Sequence, residues 1–355
     1  MKTYNPHNER IKRHYFVYLK EAKRHSEDTI DGVAKARNRF ETYTKFRDFK
    51  AFQSQQAVAF KKHLAEQQSV VSGERLSLAT RNATLAQLKR FFQWLAWQPG
   101  FKFCLSYSDA EYFNLSEKDT RVANARREKP VPTVEQITHV IAVMPNGSEI
   151  ERRNRALIAF TLLTGARDSA IASIKLKHVD VGAGSVFQDA REVRTKFSKT
   201  FTTYFFPVGD EIRRIVADWV RYLKEEKFWS HDDPLFPSSN VILDKNKHFK
   251  VEGLNREHWS TTSPIRKIFA EAFTNAGLPY FNPHSFRNTL VRPGETVCQS
   301  PEAFKAWSQN LGHEKVLTTF CSYGEVSTRR QQEILDHLRS PQLSSETDYE
   351  QIAKA

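Results

Sequence analysis

The chain has 355 residues, 39% hydrophobic and 27% charged, with 54 Lys and Arg against 41 Asp and Glu, a net charge of +13 and a pI near 9.5. That length predicts two domains rather than one core, and the charge favours a polyanionic partner, nucleic acid ahead of an anionic membrane. No apolar run approaches the roughly 18 residues of a membrane span, the polar N-terminus predicts no export segment, and three scattered cysteines (Cys104, Cys298, Cys321) argue against a disulfide framework and a zinc site, which fits a reducing cytoplasm.

The first third reads as helices. "SEDTIDGVAKARNRFETYTKF" opens on the capping residues Ser26–Asp28 and continues in helix formers. In "SLATRNATLAQLKRFFQWLAWQPG", Leu85, Leu88, Phe92 and Leu95 share one face, Ser77 is the N-cap and Pro99-Gly100 the stop. Arg81, Lys89 and Arg90 lie on or beside this helix, a pattern that suits either a solvated face or contact with phosphate. Between Ser116 and Pro132 the apolar pattern lapses. Arg126, Arg127 and Lys129 with two prolines mark a basic, extended linker, and the domain boundary is expected near residue 128.

Beyond it, Thr133 and Gln136 form a capping box for "TVEQITHVIAVM". "RNRALIAFTLLTGARDSAIASIKLKHVD" reads as a buried helix, a Thr-Gly turn and a second helix. "GSVFQDAREVRTKFSKTFTTYFFPVG" alternates on both sides of "KFSK", as a hairpin does. Helical period returns through Ile212, Ile215, Val216, Trp219 and Leu223, "DPLFPSSN" is a loop, and helices dominate from Ser263 to about Leu338. Pro293-Gly294 should end the helix after "NTLVR" early. The expected fold is a mainly α chain: an all-α N-terminal domain over 1–128, an α+β domain with a small antiparallel sheet over 129–340, and a frayed, slightly acidic tail over 341–355.

Three motifs carry possible chemistry. In "NPHSFRNTL", His284 and Arg287 are one helical turn apart, behind a Pro283 entrance where backbone N–H groups attract anions. In "LLTGARDSA", Arg167 follows a glycine turn at the end of an apolar helix, where a guanidinium is costly without an anionic partner; Asp168 or another acid is the ordinary candidate. In "LGHEKVLTTFCSYG", His313 precedes Tyr323 by ten residues. No metal-binding motif accompanies them.

Taken in order, an Arg after a "TG" turn, a Lys in a hairpin, His-x-x-Arg, "LGH" and a Tyr after paired threonines resemble the tyrosine recombinases, the phage integrase family. "PLFPSS" and "AGLPYFNPHSFRNTL" add to the resemblance, which spans about Thr133 to His337. It implies a compact two-domain enzyme whose helical first third clamps DNA, and cleavage through a 3′-phosphotyrosine intermediate without metal, ATP or other cofactor. By resemblance Tyr323 is the nucleophile, Arg167 and Arg287 bind the phosphate, His313 donates to it, and His284 either takes the tyrosine's proton or donates to the phosphate. A hairpin lysine protonates the leaving oxygen; Lys196 and Lys199 are the candidates, with Lys196 favoured by its place in "REVRTK". Arg81, Lys89, Arg90, Arg126, Arg127 and Lys129 are the expected DNA contacts.

The chain departs from the family pattern in three places. Ala170 stands where an acidic residue usually follows the first arginine, the segment from Arg287 to His313 is longer, and "TTFCSYG" has one residue more before the tyrosine. The resemblance implies a site-specific recombinase that integrates or excises a mobile element. Its partners would be double-stranded DNA, its own copies in a tetramer on two duplexes, and an accessory recombinase or DNA-bending protein, in the cytoplasm at the nucleoid and away from membranes. The alternatives are a non-cleaving DNA-binding protein of the same fold and a type IB topoisomerase-like relaxing enzyme.

Overall fold

The computed structural model describes residues 4–69, 73–125, 130–243, 248–312, 331–332 and 335–336. The chain divides into two compact units, Met1–Arg126 and Arg127–Ala355.

The first unit is built from α1 (Pro6–Val17), α2 (Glu27–Tyr43), α3 (Ser54–Glu66), α4 (Leu78–Ala96) and α5 (Glu117–Asn124). In α4 the Ser77 hydroxyl accepts from the Thr80 N–H, which satisfies one of the free donors at the helix start. Leu85, Leu88, Phe92 and Leu95 are all buried, as the spacing required. They pack into an aromatic core in which Phe52 stacks on Phe92 at 4.0 Å and Phe40 meets Phe60 and Phe92 edge-on. Each such ring, fully buried, contributes about 1.5–3 kcal/mol. One charge network lies inside. Arg37 is 3% exposed against the Phe16 ring, and Glu41 beside it takes the Lys12 ammonium at 3.0 Å.

The second unit holds α6 (Val134–Val143), α7 (Glu149–Thr164), α8 (Asp168–Ile171), α9 (Asp210–Arg221), α10 (Ser263–Asn275), α11 (Pro283–Val297) and α12 (Pro301–Asn310) around two small antiparallel sheets. Thr133 and Gln136 cap α6 reciprocally. Every residue of α7 from Ala156 to Thr164 is buried, which makes this helix the axis of the core. The segment after the glycine turn is shorter than its pattern suggested: α8 is a single turn, closed by the Ala172 N–H on the Asp168 carbonyl.

The first sheet runs β1 (Val179–Asp180), β2 (Ser185–Gln188), β3 (Phe201–Tyr204), with Val186 opposite Thr203 and Gln188 opposite Phe201. The second pairs β4 (Ser239–Leu243) with β5 (Phe249–Leu254), a hairpin the sequence reading did not anticipate. Its root is tied to the start of α7, where Glu149 accepts from the Leu254 N–H at 3.0 Å and Arg153 donates to the Ser239 hydroxyl at 2.9 Å.

Helix α11 also corrects an expectation: it does not stop at Pro293 but continues to Val297. Proline removes one backbone bond and crowds the preceding turn. Here the Trp307 indole N–H donates to the Leu290 carbonyl of that turn at 2.8 Å. Gly294 makes room for the indole, since a Cβ there would lie 2.9 Å from Trp307 Cδ1. The indole thus ties α12 to the turn that the proline crowds; the bond lost at Pro293 is the one to the Thr289 carbonyl, four residues back.

Candidate active site

The end of α7 sets the site. Gly165 adopts φ 59°, ψ 22°, the left-handed conformation that glycine enters without strain, and its N–H caps the Thr161 carbonyl. It also has no room for a side chain: a Cβ would meet Leu311 Cδ2 at 3.0 Å and Leu290 Cδ1 at 3.1 Å. This turn delivers Arg167, half-buried, to the N-cap of α8. Asp168 does not pair with it. Its Oδ2 is taken by Arg266, from Nε at 2.9 Å and Nη2 at 2.8 Å. The Arg167 guanidinium makes no hydrogen bond or ion pair with any described residue, and desolvation lowers its pKa. Ala170, the position expected to be acidic, is 1% exposed.

Arg287 comes from α11, whose entrance is capped by the Asn282 side chain accepting from the Ser285 N–H at 3.1 Å. It is 3% exposed and has no carboxylate partner among the described residues. Its Nη1 donates to the Gly165 carbonyl at 2.5 Å and its Nη2 to the Leu311 carbonyl, while its Nε is buried without a partner. Desolvation, and after it the charge of Arg167, push its pKa down to about 9. Two guanidiniums close enough to perturb one another, with no counter-ion among the described residues, make this neighbourhood electropositive. Placing an anion there would relieve both.

His284 lies one turn before Arg287 and its side chain reaches solvent. Even so, the protein packed around the ring depresses its pKa, Arg287 and Arg167 depress it further, Asp168 opposes them, and Lys196 adds a smaller depression. At neutral pH this imidazole is neutral and can accept a proton. The same interactions bring Lys196 within electrostatic reach of His284. Lys196 is exposed in the β2–β3 connection, its ammonium 4.8 Å from the Phe197 ring centroid. Lys199 is half-buried and is not without a partner. The structure thus gathers Arg167, Lys196, His284 and Arg287, whereas His313 and Tyr323 lie outside the described residues. Among the described residues no group of three or more His, Cys, Asp or Glu is placed to hold a metal.

Two site features escaped the sequence reading. One is the Asp168–Arg266 pair. The other is Arg194, whose backbone N–H donates to the Ser173 hydroxyl at 2.8 Å and whose guanidinium donates to the Ala172, Trp259 and Ser260 carbonyls. Its position two residues before Lys196 was the available signal.

The basic residues of the first unit differ in availability. Lys89 is held by Glu111 at 2.6 Å and Asn114 at 3.0 Å. Arg90 is exposed and makes no hydrogen bond or ion pair with a described residue, and the Arg81 Nε is buried without a partner. Lys89, Arg90 and Arg121 line a groove of about 700 Å³ between α4 and α5. Arg126, Arg127 and Lys129 lie outside the described residues.

Residues 131–329, more than half of the chain, match the model of the phage integrase family. Tyrosine recombinase XerC of Halalkalibacterium halodurans is 23% identical over 328 residues, covering 86% of this chain and 89% of that protein. XerC of Lactobacillus delbrueckii subsp. bulgaricus is 22% identical over 257 residues, covering 70% and 73%. Among solved structures, a lambda integrase (75-356) dimer bound to a COC′ core site is similar with a TM-score of 0.60 at 11% identity, covering 90% of this chain and 98% of that one. The Tn1549 transposon integrase in complex with transposon right end DNA has a TM-score of 0.56 at 14% identity, covering 93% and 99%.

Proposed function

This chain belongs to the phage integrase family and is a tyrosine-type site-specific recombinase, and from that premise we propose that it cuts and rejoins double-stranded DNA through a 3′-phosphotyrosine on Tyr323. The observation that carries the proposal is Arg287: a buried guanidinium whose Nε has no partner among the described residues, beside a second arginine that also lacks an anion among them. Folding a protein around such a pair is costly unless a bound anion uses it, and a scissile phosphate is the anion the family's chemistry supplies.

In this reading Arg167 and Arg287 hold the two non-bridging phosphate oxygens, each through a planar fork, and stabilise the charge that grows there as the tyrosine attacks. His284, kept neutral by burial and by its cationic neighbours, takes the phenol proton, and His313 donates to the phosphate. The new Tyr323 Oη–P bond replaces the P–O5′ bond, and Lys196 gives its proton to the departing O5′. The bond energy stays in the phosphotyrosine, so rejoining needs no ATP.

The first unit would clamp the duplex with Arg81, Lys89, Arg90 and the Arg126–Lys129 linker, its phosphate contacts giving affinity. Strand exchange calls for four copies on two duplexes, with an accessory recombinase or DNA-bending protein as a further partner, acting in the cytoplasm on nucleoid DNA. For its biological use we infer integration or excision of a mobile element, supported by the likeness in fold to the lambda and Tn1549 integrases.

A nicked suicide duplex carrying the protein's own recombination site tests the proposal. A covalent protein–DNA adduct on a denaturing gel is the expected product. Tight binding without any adduct would instead favour the non-cleaving DNA-binding reading, for which the buried Ala170 already speaks.

A further inference from the structure

Arg167 and Lys196 sit on different elements, and one residue couples them. Ser173 follows α8 and donates to the Ser169 and Ala170 carbonyls, both at 3.1 Å. Its hydroxyl accepts the Arg194 N–H at 2.8 Å. The Arg194 guanidinium reaches back to the same segment at the Ala172 carbonyl, 3.3 Å, and across to Trp259 at 2.8 Å and Ser260 at 3.1 Å. Lys196 comes two residues later. After it the backbone turns left-handed at Phe197 (φ 61°) and Ser198 (φ 51°), a conformation neither residue favours. The tip of this connection is therefore poorly suited to fix Lys196, and its root is where the fixing contacts lie.

We infer that Arg194 is a positioning residue for departure of the 5′ oxygen, holding the Lys196 ammonium in register with the phosphate bound at Arg167. Its Nη2 alone donates to carbonyls of both chain segments, Ala172 and Trp259, and its Nη1 adds Ser260; a lysine keeps the charge but lacks the second nitrogen and the rigid plane that fixes all three bonds together. The guanidinium is committed to three carbonyls and has no ion pair among the described residues, so its role is mechanical. The inference rests on Lys196 being the proton donor. In that step the Tyr323 Oη–P bond forms, the P–O5′ bond breaks, and the ammonium proton passes to O5′, leaving a neutral amine that is recharged from solvent.

A 5′-bridging phosphorothiolate duplex tests this, because a thiolate, whose conjugate acid has a pKa near about 8.5, leaves without a proton whereas an alkoxide does not. Single-turnover cleavage of the oxygen and sulfur substrates is compared for wild type, Lys196→Ala, Arg194→Ala and Arg194→Lys. Lys196→Ala should lose about 10²-fold or more on oxygen and recover on sulfur. Both Arg194 variants should lose roughly 10- to 100-fold on oxygen, as a misplaced catalytic group does, and recover on sulfur to within about threefold of wild type. Thermal unfolding and DNA affinity should stay near wild type; if Arg194→Ala does not fold, Arg194→Lys, which keeps the charge, decides.

Failure of Lys196→Ala to recover would remove the Lys196 assignment and the inference with it. Recovery of Lys196→Ala but not of either Arg194 variant would leave that assignment standing and overturn the role of Arg194. A loss of DNA affinity in the Arg194 variants with a shallower salt dependence would also overturn it, by making Arg194 a phosphate contact.

Discussion

Replacing Arg287 by methionine separates the cost of the electropositive neighbourhood from its use. A guanidinium whose pKa is pushed down from its ordinary value to about 9 carries on the order of 5 kcal/mol of destabilisation in its charged form at neutral pH. Methionine has comparable reach and removes that cost, but it leaves the Gly165 and Leu311 carbonyls without their donors. Each buried carbonyl so orphaned costs about 1–3 kcal/mol. The balance for Arg287→Met falls between a loss of about 1 and a gain of about 3 kcal/mol. For a unit of this size that is a Tm change between a drop of about 3 °C and a rise of about 10 °C. Cleavage of the suicide duplex should meanwhile fall by about 10³-fold or more, since one of the two guanidiniums that hold the phosphate oxygens is gone. Calorimetry with and without inorganic pyrophosphate completes the test: the anion should raise the Tm of wild type clearly more than that of the variant. A variant that unfolds about 10 °C lower, with pyrophosphate acting equally on both proteins, would refute the reasoning and make Arg287 a structural cation.

Three further outcomes follow from the same geometry. Gly165→Ala forces a side chain into the left-handed region at about 1–2 kcal/mol and against Leu311 and Leu290 besides; we expect about 2–4 kcal/mol of lost stability by chemical denaturation, and weaker cleavage because the carbonyl that receives Arg287 moves. The folded state holds the His284 pKa below its ordinary 6.5, so the unfolded chain binds the proton first as pH falls: the stability this group contributes is full above 6.5 and declines below it. Cleavage of bound DNA should accordingly persist below pH 6.5 in wild type, and His284→Asn should flatten the acid limb of the rate profile. In the first unit, Arg90→Ala should reduce the salt slope of DNA binding by about one, whereas Lys89→Ala, already neutralised by Glu111, should change it less; filter binding at several salt concentrations measures both.

Signals confined to one helical turn were legible in the sequence. Ser77 before α4 and the Thr133–Gln136 box before α6 each act on a neighbour three residues away, and each appears as read. The apolar stripe of α4 and the hairpin around "KFSK" likewise rest on local periodicity. Effects that depend on distant partners were not legible. Pro293 stays within α11, in a turn tied to another helix by the Trp307 indole. Asp168 turns from its neighbour Arg167 to Arg266, ninety-eight residues away. Hairpin β4–β5 alternates weakly, and its face of Val241, Leu243, Phe249 and Val251 is exposed, so burial gave no pattern to find. At the site, residue types and order identified Arg167, Lys196, His284 and Arg287 as candidates. That Arg287 would be held by two carbonyls and no acid is a property of the packed turn at Gly165, which no spacing encodes.

The covalent step on one tyrosine is the centre of this account, and peptide mapping of the suicide-substrate adduct tests it most directly. After nuclease trimming and proteolysis, mass spectrometry should find the nucleotide remnant on Tyr323, joined through the 3′ phosphate of the cleaved strand, and Tyr323→Phe should give no adduct. A remnant on any other residue, a 5′ linkage, or an adduct that persists in Tyr323→Phe would contradict it.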